Sequence, residues 1–517
     1  MKSLQRYLLI ALLLTGALLR LAPIAANRFH EDEAIYSFWA LQVAAGRDVL
    51  LRNFPVDKPP FFIYVLALFL GFFGPSEVAA RLPGEVASFS ALLLLYFWVR
   101  RIYGTEVAIL SVALMAFSPF AILFAPTAFT DPLMVALALG ACLAGAEGHF
   151  GLGGGMLGLA AITKPQAVFF APLAAVSGWP SKPKDFCRAA LAFAAAAMLA
   201  FVWDAFRFRQ PGFLEQSLVS YGGVGFVPPT EWPERFAGWL ELLKYTTASP
   251  PLNFLLVLGP PVLLVYGFLF LRRARETFFD FSLAGFAFFF LALHVVLSFK
   301  VWDRYLLGLV PILDVLLARV IWHIAYHLLR IAYRALLIAH RVSQAVWRRW
   351  PGVHLFHRQW FSDGSTFCSL VVAVLLVGIM VKPARDAAAS RFHIGGDKGA
   401  YQGLEAVVDY FRGNVPGGAI LYHRLLGWHF SFYMFDFPYD FRCYTSPEEL
   451  AREARLAAGA KQYVVFPSWV SVAPARAALE ASGLALRRVY RAFRSDGSIS
   501  FTVYRIEPTS QLKSEGE

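Results

Sequence analysis

Long apolar segments, separated by short polar ones, run through most of the chain. Eleven of them are candidate membrane spans, at 7–26, 82–100, 106–125, 132–147, 150–164, 165–180, 189–206, 251–271, 277–298, 305–326 and 366–383. From about residue 392 helical patterns alternate with strand-like runs, the helices at 401–412, 446–458 and 472–482 and the strands at 419–423, 462–467, 486–493 and 498–506. The pattern predicts a polytopic α-helical membrane protein with about eleven transmembrane helices and a small C-terminal α/β domain.

One apolar segment, 60–73, is too short to be counted as a span. It has 14 residues, whereas a bilayer core of about 30 Å requires roughly 20 residues of helix. We therefore predict that it lies in the membrane interface or re-enters it. The loop 27–81 is then extracytoplasmic, and the C-terminal domain falls on the same side. Basic clusters between the spans agree with this orientation, because Lys and Arg accumulate on the cytoplasmic side.

Composition supports the membrane assignment and limits the partners. Of the 517 residues, 58% are hydrophobic and 16% are charged, and the mean hydropathy is +0.55, whereas soluble domains carry about 25% charged residues. The net charge of +12 comes from the basic clusters, so it indicates contact with membrane lipids and not with nucleic acid. The predicted parts are a membrane domain at 1–384 with a basic cytoplasmic segment at 319–360, an extracytoplasmic domain at 392–508 and a tail at 509–517.

Three consecutive carboxylates, Glu31, Asp32 and Glu33, closely follow the first span. Neighbouring carboxylates raise one another's affinity for protons, so one of them can be poised as a base near neutral pH. The same residues can instead be the acidic first turn of a helix at 32–45, since Asp is a common helix cap. The spacing alone leaves both interpretations open.

A lysine follows in a stiff setting, Asp57-Lys58-Pro59-Pro60. The two prolines restrict the backbone and disfavour helix before them, which holds Lys58 at a set height beside the next apolar run. A lysine ammonium is suited to bind phosphate. The alternative is a lysine that reaches toward the head groups from an ordinary turn.

Further charges occur where spans begin and end. Lys164 interrupts an apolar stretch, and a charge within the membrane is costly enough to suggest a function. Between the ninth and tenth spans the chain reads Lys300-Val301-Trp302-Asp303-Arg304-Tyr305. Arg304 can bind a phosphate through two hydrogen bonds. An interfacial belt of Trp and Tyr explains the aromatic residues there, but it explains the Asp-Arg pair less well.

Together these elements resemble the motifs of GT-C membrane glycosyltransferases, most closely those of glycosyltransferase family 39. That family includes the dolichyl-phosphate-mannose–protein mannosyltransferases and the bacterial aminoarabinose transferases of lipid A. Six short elements stand in the family's order over roughly residues 5–320, namely Asp32-Glu33-Ala34-x-Tyr36, Asp57-Lys58-Pro59-Pro60, Arg81-Leu82-Pro83, Thr130-Asp131, Thr163-Lys164 and Asp303-Arg304-Tyr305.

The resemblance implies a GT-C fold with an extracytoplasmic active site, where a sugar is transferred from a polyprenyl monophosphate with inversion at the anomeric carbon. Asp32 would be the catalytic base, with Glu33 and Asp131 as further acids of the site. The donor phosphate would be bound by cations, Lys58, Arg304, Arg81 and Lys300. The remaining implied site residues are Tyr36, Lys164, Asp303 and Tyr305.

The resemblance also bears on cofactors, partners and location. Asp57 stands where relatives carry a Glu that can help to bind a metal, but loop 207–250 contains no histidine, which argues against a bound divalent metal. The implied partners are a polyprenyl-phosphate sugar and a lipid, glycan or protein acceptor, at the bacterial inner membrane. The alternative is a transporter or lipid flippase that uses the same charges for substrate or ion coupling. The predicted position of the charges at one face, instead of mid-membrane, weakens that alternative.

Overall fold

The computed structural model describes residues 2–179, 181–209, 211–270, 274–346, 357–397 and 399–509. The described residues form these α-helices in chain order: α1 (Lys2–Leu21), α2 (Glu31–Ala44), α3 (Phe61–Phe73), α4 (Glu77–Tyr103), α5 (Thr105–Phe117), α6 (Pro119–Phe124), α7 (Asp131–Ala146), α8 (Phe150–Ala161), α9 (Ala171–Ser177), α10 (Pro183–Arg207), α11 (Phe213–Tyr221), α12 (Trp232–Leu243), α13 (Pro250–Phe270), α14 (Ala274–Val296), α15 (Val310–Val346), α16 (His357–Ala388), α17 (Leu404–Asn414), α18 (Gly427–Tyr433), α19 (Pro447–Leu456) and α20 (Ala473–Ala481). Single 3₁₀ turns or short 3₁₀ helices lie at Pro165–Phe170, Pro229–Glu231, Lys244–Thr246 and Asp303–Leu306.

The chain folds into two compact units that do not follow the chain order. The first unit consists of Met1–Ile24, Leu50–Val65 and Arg81–Gly395, and the second consists of Ala25–Val49, Leu66–Ala80 and Gly396–Glu517. Two parts of the loop 27–81, which the sequence places with the membrane domain, therefore fold with the C-terminal residues. The division into a catalytic membrane domain and an extracytoplasmic domain remains a prediction.

Seven helices in the described part of the chain are long and apolar enough to cross a membrane, at Ser3–Leu21, Glu77–Tyr103, Pro183–Arg207, Pro250–Phe270, Arg275–Val296, Val310–Ala335 and Gly364–Ala388. The prediction of a polytopic helical protein is confirmed, but the count of eleven spans is not. The four other candidates, 106–125, 132–147, 150–164 and 165–180, correspond to shorter helices. Of the basic segment 319–360, residues 347–356 lie outside the described residues, as do residues 510–517 of the tail.

Proline explains why two of these candidate spans are interrupted. The stretch 106–125 breaks at Ser118, where α5 ends and Pro119 opens α6. The stretch 165–180 begins at Pro165 as a 3₁₀ helix and becomes α-helical only at Ala171. Proline lacks an N–H and clashes with the preceding turn, so it starts a helix readily and continues one poorly. Hydropathy does not register such breaks, which is why the apolar runs look continuous.

Close helix packing in the first unit depends on glycine. Helices α8 and α10 pack along their lengths, and Gly154 and Gly158 of α8 face α10. A Cβ atom on Gly154 would overlap the carbonyl oxygen of Ala189, and one on Gly158 would lie 2.7 Å from the carbonyl oxygen of Phe193. Small residues four positions apart allow two helix backbones to approach in this way.

The second unit contains a five-stranded sheet with the order β2-β1-β3-β5-β4. Its strands are β1 (Ile420–His423), β2 (Asp440–Cys443), β3 (Gln462–Pro467), β4 (Leu484–Phe493) and β5 (Ile499–Pro508). The pairs β1–β2 and β1–β3 are parallel, and β3–β5 and β4–β5 are antiparallel. One hydrophobic cluster includes Leu404 and Phe411 of α17, and another includes Leu450 and Leu479 of α19 and α20. This confirms the predicted small α/β fold.

Helix α2 is packed into the second unit, against α18. Trp39 is fully buried, with its ring centroid 6.2 Å from that of Trp428. Phe38 also contacts Trp428, at 5.9 Å between centroids. Beyond the end of α2, the Arg47 guanidinium pairs with Asp436 at 2.9 Å. The helix that begins with the three carboxylates is therefore held by residues near the other end of the chain.

Candidate active site

In the first unit, Lys58 is held by two partners just before α3. Its ammonium donates a hydrogen bond to the Asp57 carboxylate at 2.7 Å and another to the Tyr221 hydroxyl. The ammonium nitrogen also lies 4.4 Å from the centroid of the Tyr221 ring. The side chains of Lys58 and Asp57 are 17% and 14% exposed, so this charge is only partly hydrated and attracts an anion more strongly than it would in water.

Lys164 lies beside the same segment, in the break between α8 and the 3₁₀ helix that begins at Pro165. A backbone hydrogen bond of 3.3 Å from Phe61 N–H to the Ile162 carbonyl ties the two segments together. The Lys164 ammonium donates to Asp131, the first residue of α7, and lies 4.3 Å from the centroid of the Tyr305 ring. Lysine at a break in an apolar stretch thus marks a buried ion pair, with side chains 14% and 2% exposed.

Arg304 completes a group of three cations. It lies in the 3₁₀ turn Asp303–Leu306, is 8% exposed, and places its guanidinium 4.6 Å from the Trp302 ring and 5.3 Å from the Phe129 ring. The carboxylate of Asp303 accepts hydrogen bonds from the N–H of Arg304 at 2.8 Å and of Gly395 at 3.0 Å, which fixes the turn. A guanidinium among aromatic rings is stacked and weakly hydrated, a setting suited to bidentate phosphate binding.

The Tyr305 ring lies between two of these cations, with its centroid 4.3 Å from the Lys164 ammonium and 5.8 Å from the Arg304 guanidinium. The segment that carries Lys58 is tied to that of Lys164 by the hydrogen bond from the Phe61 N–H. We call Lys58, Lys164 and Arg304 the cation cluster. The two other predicted phosphate ligands have different settings. Arg81 is buried and donates to the Ile24 carbonyl at 2.9 Å, and Lys300 is exposed, with its ammonium 5.2 Å from the Trp302 ring. Phosphate binding by either residue remains a prediction.

In the second unit, the acidic motif, Glu31 to Glu33, forms the first turn of α2. His30 is the N-cap, and its Nδ1 accepts a hydrogen bond from the Asp32 N–H at 3.1 Å. Glu33 is fully buried and accepts from the His30 N–H at 2.9 Å, which completes a capping box. The alternative interpretation of the motif as a helix cap is therefore correct for Glu33, while Asp32 keeps its side chain 30% exposed.

The charge of Asp32 acts on two other titratable groups, Glu31 and Tyr401. Burial, together with the neighbouring charge of Asp32, raises the pKa of Glu31. Burial also raises the pKa of Tyr401, and the charges of Glu31, Asp397 and Asp32 raise it further. The Tyr401 phenol therefore keeps its proton and can donate a hydrogen bond beside the acidic motif.

His429 of α18 holds the chain that precedes the motif. It is fully buried, and its Nε2 lies 3.0 Å from the Phe29 carbonyl oxygen. Burial lowers the pKa of His429 to about 4, so the ring is neutral at pH 7. Because the carbonyl can only accept, Nε2 carries the hydrogen. Glu77 fixes the same segment from another side, since it accepts from the Phe29 N–H at 3.2 Å and pairs with Arg28 at 3.2 Å.

Sequence reasoning missed Tyr221 and Tyr401, and it gave His429 no role in positioning the motif. Each is a single residue without a periodic or charged neighbourhood that would distinguish it from other aromatic residues. The remaining candidate, Tyr36, is buried in α2 with its ring 6.0 Å from that of Trp39. Asp57 is paired with Lys58, and no group of three or more His, Cys, Asp or Glu side chains in the described ranges could hold a metal. These residues do not fit a resident metal ion.

Part of the chain is similar to a known family of sequences. Residues 57–203 match the sequence model of the family described as dolichyl-phosphate-mannose–protein mannosyltransferase. The matched stretch includes Lys58, Asp131 and Lys164. This match and the shared fold of solved structures confirm the resemblance to membrane glycosyltransferases of the GT-C type. No curated protein sequence matches the chain significantly.

Particular solved structures share the fold. ArnT from Cupriavidus metallidurans in the apo state is 15% identical with a TM-score of 0.64, covering 98% of each chain. The same protein bound to undecaprenyl phosphate is 15% identical with a TM-score of 0.60, covering 97% of each chain. The Archaeoglobus fulgidus oligosaccharyltransferase in its apo form is 13% identical with a TM-score of 0.54, covering 96% of this chain and 74% of its own. The predicted fold class is therefore confirmed.

Proposed function

We propose that the chain transfers a sugar from a polyprenyl-monophosphate donor to a hydroxyl group of an acceptor. The observation that carries the proposal is the cation cluster: three cations from separate segments gathered in a largely buried, aromatic-lined setting. Two of them, Lys58 and Lys164, lie in the stretch that matches the mannosyltransferase family. A relative of the same fold binds undecaprenyl phosphate, which is a ligand of the chemistry that such a cluster suits.

The donor phosphate is the group that the cation cluster would bind. Arg304 can offer two parallel N–H groups, while the lysine ammonium of Lys58 acts as a point charge held in place by Asp57. When the bond between the anomeric carbon and the phosphate oxygen breaks, negative charge grows on that oxygen. Cations already fixed in place stabilise this charge without reorganising, and this is the largest contribution we assign to the protein.

Asp32 is the proposed base. Its carboxylate takes the proton of the acceptor hydroxyl while the hydroxyl oxygen bonds to the anomeric carbon. The polyprenyl phosphate leaves with the electron pair of the broken bond, so the anomeric centre inverts. Glu33 caps α2 and orients the turn, and Asp131 holds Lys164 toward the cluster. In this proposal Glu33 and Asp131 have structural roles, and Asp32 has the catalytic role.

The proposed location is the bacterial inner membrane, with the reaction on its extracytoplasmic side. The basic clusters between the spans support this orientation, because Lys and Arg favour the cytoplasmic side. A donor built from a long hydrocarbon tail and an anionic head also requires a site at the membrane surface. A labelling measurement tests it: cysteines introduced into the second unit should react with a membrane-impermeant maleimide in intact spheroplasts.

The experiment for the proposed function uses the purified full-length chain in lipid nanodiscs with polyprenyl-phosphate pentoses and hexoses. Mass spectrometry of lipids, glycans and proteins from a deletion strain first identifies the missing sugar and its acceptor. Asp32→Asn should then lower transfer by about 10²–10⁴-fold, the usual contribution of a general base. Asp409→Asn, at an exposed carboxylate of α17, is the control and should leave transfer unchanged.

Two results would contradict the proposal. Wild-type transfer by Asp32→Asn would remove Asp32 as the base. Movement of a polyprenyl-linked sugar across proteoliposomes, with no sugar transferred by the wild-type chain, would instead favour the flippase alternative. NMR of the product reports the anomeric configuration and tests inversion directly.

A further inference from the structure

Trp469 of the second unit has a large, exposed apolar side chain that packs against two other aromatic rings. It follows β3 in a turn and is 45% exposed. Its ring meets the Phe501 ring at 5.8 Å and the Tyr401 ring at 5.8 Å, the latter at an interplanar angle of 89°. Two buried rings thus support the indole while almost half of its surface remains open.

Tyr401 connects this indole to the acidic motif. Its ring also packs against the His429 ring, with 4.2 Å between centroids and 31° between the ring planes. Its backbone is fixed by Asp397, whose carboxylate accepts hydrogen bonds from the N–H groups of Gly399 at 3.1 Å and Tyr401 at 2.9 Å. The charges of Glu31, Asp32 and Asp397 act on the Tyr401 phenol.

His429 connects these rings to the segment that precedes the acidic motif. Its hydrogen bond to the Phe29 carbonyl joins the row to the chain immediately before the N-cap of α2. The Phe29 ring is itself fully buried, 5.1 Å from the Phe432 ring. Trp469, Tyr401 and His429 therefore form a continuous aromatic row, which ends at the turn that carries Asp32.

The chemistry of this surface suits one kind of ligand. A flat apolar ring, a phenol donor and the carboxylate acceptors of Glu31 and Asp32 together match a sugar, whose ring has an apolar C–H face and a rim of hydroxyl groups. Aromatic walls with a few placed polar groups are the usual composition of small-molecule sites. A metal ion does not fit, since the described part of the chain offers no group of three or more His, Cys, Asp or Glu ligands.

We propose that Trp469 and Tyr401 form the acceptor subsite and that the acceptor presents a saccharide ring there. Trp469 stacks on the apolar face of that ring. Tyr401 donates a hydrogen bond to the sugar beside the hydroxyl that Asp32 deprotonates. This inference rests on the proposed function, and it assigns to the C-terminal residues the recognition of the acceptor, while the cation cluster recognises the donor.

The first test measures binding without catalysis, on the purified full-length chain in nanodiscs. Saturation-transfer difference NMR with a panel of methyl glycosides reports which ring protons contact the protein. The expected result is a signal for at least one glycoside, lost in Trp469→Ala and partly kept in Trp469→Phe. Phe493→Ala, which removes another exposed aromatic ring, at the end of β4, should keep the signal.

The second test separates this inference from the proposed function. With the acceptor found by mass spectrometry, Trp469→Ala should raise the acceptor KM about tenfold, because the apolar face of the sugar loses the ring on which it stacks; tenfold corresponds to about 1.4 kcal/mol. Tyr401→Phe should raise it severalfold, as expected for one lost neutral hydrogen bond. Binding of undecaprenyl phosphate should be unchanged in both variants.

The outcomes are distinct. If the wild-type chain transfers sugar and Trp469→Ala does so with unchanged KM and an unchanged glycoside signal, the acceptor subsite is wrong and the proposed function survives. If the acceptor contains no sugar, the assignment of a saccharide ring is likewise overturned. If the wild-type chain transfers nothing to any acceptor, the proposed function itself fails.

Discussion

At the scale of single residues, the first unit keeps its charges near the membrane by pairing them. Lys164 and Asp131 form one such buried pair, and Lys58 has both Asp57 and Tyr221. A buried ion pair is weak evidence for stability, because the cost of desolvating two charges nearly cancels their attraction. The position of the Lys164–Asp131 pair beside Arg304 is better explained by the proposed function. Asp131 would hold the Lys164 ammonium in place before the donor phosphate binds.

A double substitution tests whether Lys164 serves stability or binding. Asp131→Asn alone leaves a buried cation without its partner and should destabilise the chain by about 3–5 kcal/mol. Asp131→Asn combined with Lys164→Gln removes both charges and should restore most of that loss in thermal unfolding. The double variant should nevertheless bind undecaprenyl phosphate more weakly than wild type. Equal affinity would show that the pair is purely structural.

The pKa of Glu31 predicts how the second unit responds to pH. A carboxyl whose pKa is raised in the folded state binds its proton more tightly there than in the unfolded chain. Its contribution to stability is therefore full below the ordinary Glu pKa of about 4.3 and is lost as the pH rises through the raised value. Wild type should become less stable over that interval.

Glu31→Gln removes this titration, and its melting temperature should exceed that of wild type at neutral pH and approach it in acid. Thermal unfolding measured between about pH 4 and pH 8 checks this statement. A melting curve with the same pH dependence as wild type would contradict it.

The sequence revealed some of these residues and not others, for a physical reason. A charge in an apolar stretch is costly, so Lys164 and Arg304 were conspicuous and could be assigned to a site. Tyr221 accepts a hydrogen bond from Lys58, but no sequence pattern marks it, because aromatic residues are abundant at membrane surfaces. The roles of Glu33 and Asp32 could not be separated from spacing, since both suit the first turn of a helix.

At the scale of elements, α2 and α18 behave as one packed pair. Helix α18 has only seven residues, and β2, which follows it, has four. Neither was predicted: α18 is too short to show a helical period, and β2 is an edge strand with no buried face. The longer strands β3 and β5 are central and were recognised from their apolar runs. Short elements that depend on distant partners are the ones a local pattern misses.

Trp39→Ala tests whether α2 and α18 are coupled. The indole is fully buried against Trp428, and truncating a buried Trp typically costs about 3–5 kcal/mol. Hydrogen exchange should therefore accelerate in both helices, although only α2 carries the substitution. Phe493→Ala, at an exposed position, is the control. Faster exchange in α2 with unchanged protection in α18 would contradict the coupling.

At the scale of the whole molecule, the two units interleave along the chain. The segments 25–49 and 66–80 fold with residues 396–517. The C-terminal residues therefore share a compact unit with two N-terminal segments. Fold class and the gathering of cations could be predicted, because both follow from hydropathy and charge. The interleaving could not, since it is decided by side-chain packing between segments hundreds of residues apart.

The central claim is that the cation cluster binds the phosphate of a polyprenyl donor. Its most direct test is the dissociation constant for undecaprenyl phosphate, measured on the full-length chain in nanodiscs. Arg304→Gln and Lys58→Gln should each weaken binding about 10–100-fold, because a hydrogen bond to a charged group contributes roughly 1.5–3 kcal/mol. Lys244→Gln, at an exposed lysine paired with Glu241, should leave the constant unchanged. Dissociation constants equal to wild type in both cluster variants would contradict the claim.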